Sequence, residues 1–65
     1  MLVETIGVNA GLIWKALEQG EMEIKDLKKV AKLTEKDMYL ALGWLSREGK
    51  VNFNEAEKNL FVSLI

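Results

Sequence analysis

This sequence contains no cysteine, no histidine and no proline. Without cysteine there is no disulfide to staple a small fold. Without cysteine or histidine there is no thiolate or imidazole to hold zinc, and the usual nucleophile and base pairs are gone. The carboxylates fall in no spacing that resembles a calcium loop or an acid/base pair, and Ser46 and Ser63 have no base to activate them. No catalytic residue, metal ligand or cofactor is therefore expected, and the chain is read as a non-enzyme. Long apolar runs are missing too. None approaches the ~20 residues of a membrane span, and residues 1–8 lack the basic start and apolar core of a signal peptide. A cytoplasmic protein with no membrane partner is expected.

What is present is one domain, residues 1–65, at 49% hydrophobic content. A chain so short buries only about 60% of the surface that its unfolded form exposes, so good packing or a partner must secure it. The net charge of −1 is unevenly spread. Residues 1–23 set one lysine against four glutamates, for −3. Residues 24–49 set Lys25, Lys28, Lys29, Lys32, Lys36 and Arg47 against four carboxylates, for +2. In residues 50–65 two lysines cancel two glutamates. Only the middle of the chain is electropositive.

With proline absent, glycine is the main backbone punctuation. Ile6, Ala10, Ile13 and Leu17 recur at helical spacing and mark one buried stripe, with Trp14 and Ala16 beside it. Thr5 could cap a long first helix, or Asn9 a shorter one, and Gly20 ends it. Gly7 and Gly11 leave room for another backbone to approach. Residues 21–24 alternate polar and apolar as a very short strand would. A second helix turns Ile24, Leu27, Val30 and Ala31 inward, and its other face carries Lys25, Lys28, Lys29 and Lys32 at i, i+3, i+4 and i+7. Thr34 caps a third helix with Asp37 three residues on, and Met38, Ala41, Leu42 and Leu45 face its core side before Gly49 stops it. Two amphipathic helices joined by so tight a turn make a helix-turn-helix, which can set its second helix in a DNA major groove.

The tail reads as a hairpin. Residues 50–54 alternate, residues 55–58 turn, and residues 59–64 return. Val51, Phe53, Leu60, Val62 and Leu64 are expected to cover the open side of the helices. The fold class is therefore α+β: a winged helix-turn-helix, with a three-helix bundle, a short strand and a C-terminal β-hairpin as the wing.

The whole chain also resembles a small winged helix-turn-helix family of bacteria and archaea, the DUF2582 type. The resemblance is carried by Ile6-Gly7 and Asn9-Ala10-Gly11 with Trp14 and Leu17, then by Ile24 and Leu27-Lys28-Lys29. It continues through Tyr39-Leu40-Ala41-Leu42-Gly43-Trp44-Leu45 and Arg47-Glu48-Gly49-Lys50, with Gly43-Trp44 its most specific element. It implies the fold and leaves the activity open, since that family is of unknown function. One departure from the broader helix-turn-helix pattern stands in the turn. Lys32 occupies a place that commonly holds glycine, so either a left-handed lysine stands there at a cost of about 1 kcal/mol, or the turn is shaped differently and the angle between the two helices changes.

The candidate DNA-binding residues are Lys25, Lys28, Lys29, Lys32, Lys36, Tyr39, Gly43 and Arg47. The lysines suit phosphates, Lys36 or Arg47 suits phosphate or guanine, and Gly43 permits close approach. Lysine is also a good former of exposed helix, which is the plainer account of the stripe. Leu12, Tyr39, Leu40 and Trp44 are candidates for a protein interface, although Trp44 is expected to pack under the hairpin against Phe53 or Phe61. Glu55 and Glu57 outweigh Lys58 at the wing tip, so the wing is not expected to enter the minor groove. The partners implied are double-stranded DNA, held weakly in transcriptional regulation, and a homodimer or other protein partner. The rival function is a winged-helix interaction or dimerisation module without direct DNA binding.

Overall fold

The first helix begins earlier than a cap at Thr5 or Asn9 would place it. A computed structural model describes residues 2–65, and in it α1 spans Leu2–Leu17. Thr5 and Asn9 lie inside that helix and cap neither end, and Asn9 is turned to the buried side. Ile6, half-buried one turn ahead of Ala10, already belongs to the inward side of the helix, which a start at Asn9 would exclude. Ala10, Ile13 and Leu17 are buried as the spacing predicts. Gly20, at φ 122, ends the helix and its N–H donates to the Leu17 carbonyl at 3.0 Å.

Strand β1 is only Met22–Glu23, and α2 follows at once as Ile24–Ala31. Leu27 is wholly buried, with Ile24 and Ala31 packed against the core. Val30, expected inward, is 52% exposed. A two-turn helix buries a strip centred on Leu27, and Val30 lies about 60° off that centre. It falls on the shoulder facing α1, where it lines a hollow with Leu12 and Ala16.

The turn after α2 closes by two hydrogen bonds. The Leu33 N–H donates to the Lys28 carbonyl and the Lys32 N–H to the Lys29 carbonyl, each at 3.3 Å. This arrangement requires a left-handed residue between them. Lys32 supplies it, at φ 58 and ψ 43. Helix α3, Glu35–Arg47, starts where the Thr34 hydroxyl accepts from the Asp37 N–H at 3.2 Å. It ends in the same way as α2, with Lys50 N–H to Leu45 carbonyl and Gly49 N–H to Ser46 carbonyl, but here the left-handed residue is a glycine.

Strands β2 (Val51–Ala56) and β3 (Asn59–Leu64) form the hairpin, in the register Val51 opposite Leu64, Phe53 opposite Val62 and Ala56 opposite Asn59. The loop is the pair Glu57-Lys58 alone, narrower than the expected 55–58, so Glu55 belongs to the strand. Glu57 takes φ 57, since a two-residue hairpin loop needs a positive φ at its first position. The sheet is antiparallel in the order β1-β3-β2, with Met22 opposite Val62.

Opposed residues share a face, so Val51, Phe53, Val62 and Leu64 all point toward the helices. Val62, on the central strand, is wholly buried, whereas Phe53, on the edge strand, is 45% exposed. The expected cover by Phe53 is thus only partial. Phe61 falls on the opposite face, with Asn54 and Glu23 beside it. The core proper is one cluster of α1, α2 and α3 side chains closed by Val51 and Val62.

Candidate nucleic-acid interface

Three lysines line one side of α2, and a fourth stands in the turn that follows it. Lys25, Lys28 and Lys29 are exposed and at 100° per residue lie within a 100° arc opposite Leu27, and Lys32, exposed as well, follows in the turn just past the helix end. Burial of Leu27 fixes that orientation. Among the described residues none of the four makes an ion pair; Lys50 Nζ to Glu48 Oε1, at 3.9 Å, is the contact of that kind nearest the helix-turn-helix. Lys28 and Lys29 also occupy the last turn of α2, where positive charge complements the helix dipole.

The outer face of α3 stands beside this ridge. Lys36, Leu40, Gly43 and Arg47 follow one line along it, opposite Ala41 and Leu45, and all four are exposed. A cation stands near each end and the middle is apolar. Tyr39 looks toward α2 and lines a hollow of about 250 Å³ with Ile24, Lys25, Lys28, Glu35 and Met38. A second hollow lies against Lys25, Lys28, Lys29 and Leu33. Glu35 and Leu33 belong to this surface although neither is among the predicted residues. The sequence signal for them was Thr34, whose cap puts its two neighbours at the mouth of the turn.

The structure gathers the DNA-binding candidates onto two adjoining helix faces, but it divides the interface candidates among three places. Leu12 lines the hollow between α1 and α2. Tyr39 lies between α2 and α3, with Leu40 on the outer face of α3. Trp44 is 39% exposed and lines a groove with Gly7, Ala10, Gly11 and Trp14. Of the two contacts expected for Trp44 under the hairpin, that with Phe61 is not made. Phe61 points away from the helices, and Trp44 sits on the side of α3 that faces α1. The wing tip is exposed and keeps Glu55 and Glu57 against Lys58.

Among the described residues there is no group of three or more metal-binding side chains and no helix long and apolar enough to cross a membrane.

A tight helix-turn-helix followed by a hairpin, on a sheet closed by a short strand after the first helix, defines a winged helix-turn-helix domain. The chain belongs to the winged helix-turn-helix domain family DUF2582, whose model matches residues 1–64. It is 35% identical to uncharacterized protein MJ1608 of Methanocaldococcus jannaschii, over 91% of this chain and 89% of that protein. The solution NMR structure of protein BT2368 from Bacteroides thetaiotaomicron superimposes with a TM-score of 0.88 at 31% identity, covering 98% of this chain and 79% of that one.

Proposed function

We propose that this domain binds duplex DNA weakly and with little sequence preference, through the α2 ridge and the outer face of α3, as a module of transcriptional regulation. The observation that carries this reading is the row of four exposed lysines, free of ion pairs among the described residues, beside the helix that a winged helix-turn-helix can offer to the major groove. Ammonium groups so placed displace counterions from the phosphate backbone, a contribution independent of sequence. The face of α3 is poor in groups that read base edges, since it offers Lys36 and Arg47 but no asparagine or glutamine. Affinity then resides in α2, and discrimination is low. The acidic wing tip is repelled by the minor groove and stays outside it.

If each of the four lysines neutralises one phosphate, affinity should fall roughly 100-fold between 50 and 200 mM salt. The test is a titration with mixed-sequence duplex, followed residue by residue by NMR at both salt concentrations. Shifts confined to residues 25–47 that fade with salt are expected. Replacing both Lys28 and Lys29 with glutamate should abolish them while the rest of the spectrum stays folded. A double variant that binds as the parent does would end the proposal.

The exposed Tyr39 and Leu40 favour a second reading, in which the same face meets a protein. Leu40→Lys separates the two. It should strengthen the interaction with duplex if α3 faces phosphates, and weaken association with a protein otherwise.

A further inference from the structure

The outer side of helix α1 is only thinly polar. Of its residues only Glu4 and Lys15 are charged, while Val8 is 67% and Leu12 45% exposed. A helix that is apolar nearly all round is one that something covers. At 100° per residue, Glu4, Val8, Gly11 and Lys15 fall on one line along the side opposite the buried Ile13, with Gly7 and Leu12 flanking it. The intervals of four, three and four are those of a seam between two packed helices.

The geometry points to a second copy of this chain as the occupant, its α1 packed antiparallel on this one about a two-fold axis. In that register Glu4 meets the second copy's Lys15, and Lys15 meets its Glu4, at the two ends of the seam. Between them Val8 meets the second copy's Gly11, and Gly11 its Val8, with Leu12 and Gly7 on opposite flanks of the seam. On the central line the projecting valine thus faces a glycine, and each charge faces its opposite. A parallel pair would set Glu4 on Glu4 and Lys15 on Lys15.

The glycines fit this arrangement for a further reason. A Cβ added at Gly7 or Gly11 would meet nothing within 4 Å in the chain itself, so packing within the fold does not call for glycine at either position. Glycine weakens a helix interior relative to alanine. Its presence is explained by the close approach of another backbone. One helix pair covers less than the about 1,600 Å² of a standard stable interface, so the association should be concentration-dependent. The inference stands independently of the DNA reading, since none of the four lysines of the ridge belongs to the seam.

Sedimentation equilibrium on the whole chain, from micromolar to millimolar concentration at low salt, tests it. The parent mass should climb from 7.4 kDa toward twice that value. Glu4→Lys and Lys15→Glu should each remain monomeric alone and form a dimer when mixed, because only the mixed pair restores opposite charges at both ends. Gly11→Leu should be monomeric with an unchanged far-ultraviolet circular dichroism spectrum. A parent chain that stays monomeric throughout, a Gly11→Leu variant that dimerises like the parent, or a charge-variant mixture no heavier than its components would each overturn the proposal.

Discussion

Replacing Lys32 with glycine should stabilise the domain, and the amount can be worked from the backbone. Lys32 holds φ 58 and ψ 43 at the end of α2, while Gly49 performs the same task after α3. A residue with a Cβ loses roughly 1–2 kcal/mol in that conformation. Glycine removes this cost but returns about 0.5–1 kcal/mol through the greater freedom of its unfolded chain. The net gain is about 0.5–1 kcal/mol. In a domain of this size that raises Tm by roughly 2–8 °C. Thermal and urea unfolding followed by circular dichroism at one fixed protein concentration would measure it, with the urea midpoint rising and its slope unchanged. Lys32→Ala is the necessary control, since it removes the charge yet keeps the Cβ. If alanine stabilises as much as glycine, the gain comes from relieving repulsion among the four lysines, and the backbone account is refuted.

Two further substitutions probe the frame that aligns the ridge. Leu27→Ala empties the wholly buried anchor of α2 and should cost about 2–5 kcal/mol. Against a total of about 3–10 kcal/mol for a chain of this length, urea unfolding should find little folded protein left at 37 °C. Thr34→Ala removes the hydroxyl that accepts from Asp37 N–H and should lower stability by about 1 kcal/mol, read as a lower urea midpoint, whereas Thr34→Ser should retain most of it.

The elements of the fold were legible because their signals are local. Ile13, Leu27 and Ala41 sit at the centres of apolar stripes, and Gly20, Thr34 and Gly49 mark ends whose hydrogen bonds involve only near neighbours in the chain. Even the left-handed Lys32 was foreseeable from the missing glycine. The errors fall where a neighbour distant in sequence decides the outcome. Periodicity gives the angle of Val30 on its helix, but not how wide an arc α1 covers. Alternation gives the face of Phe53, but not that β2 would be an edge strand. The exception is Phe61: alternation already put Leu60, Val62 and Leu64 toward the helices and so Phe61 away from them, which the expected contact with Trp44 overlooked. For the candidate site, the arc of Lys25, Lys28 and Lys29 follows from spacing alone. The scattering of Leu12, Tyr39 and Trp44 into three hollows follows from how α1, α2 and α3 cross.

The position of β3 between β1 and β2 has a consequence for synthesis on the ribosome. Both outer strands are made first, and neither bonds to the other; each waits for residues 59–64 to emerge. Until then Met22 and Val51 have no sheet to join, and Val62 is absent from beneath the helices. A stalled chain that ends just after α3 would carry all three helices with one flank of their apolar interior open to water, and would be a natural client for chaperones and proteases.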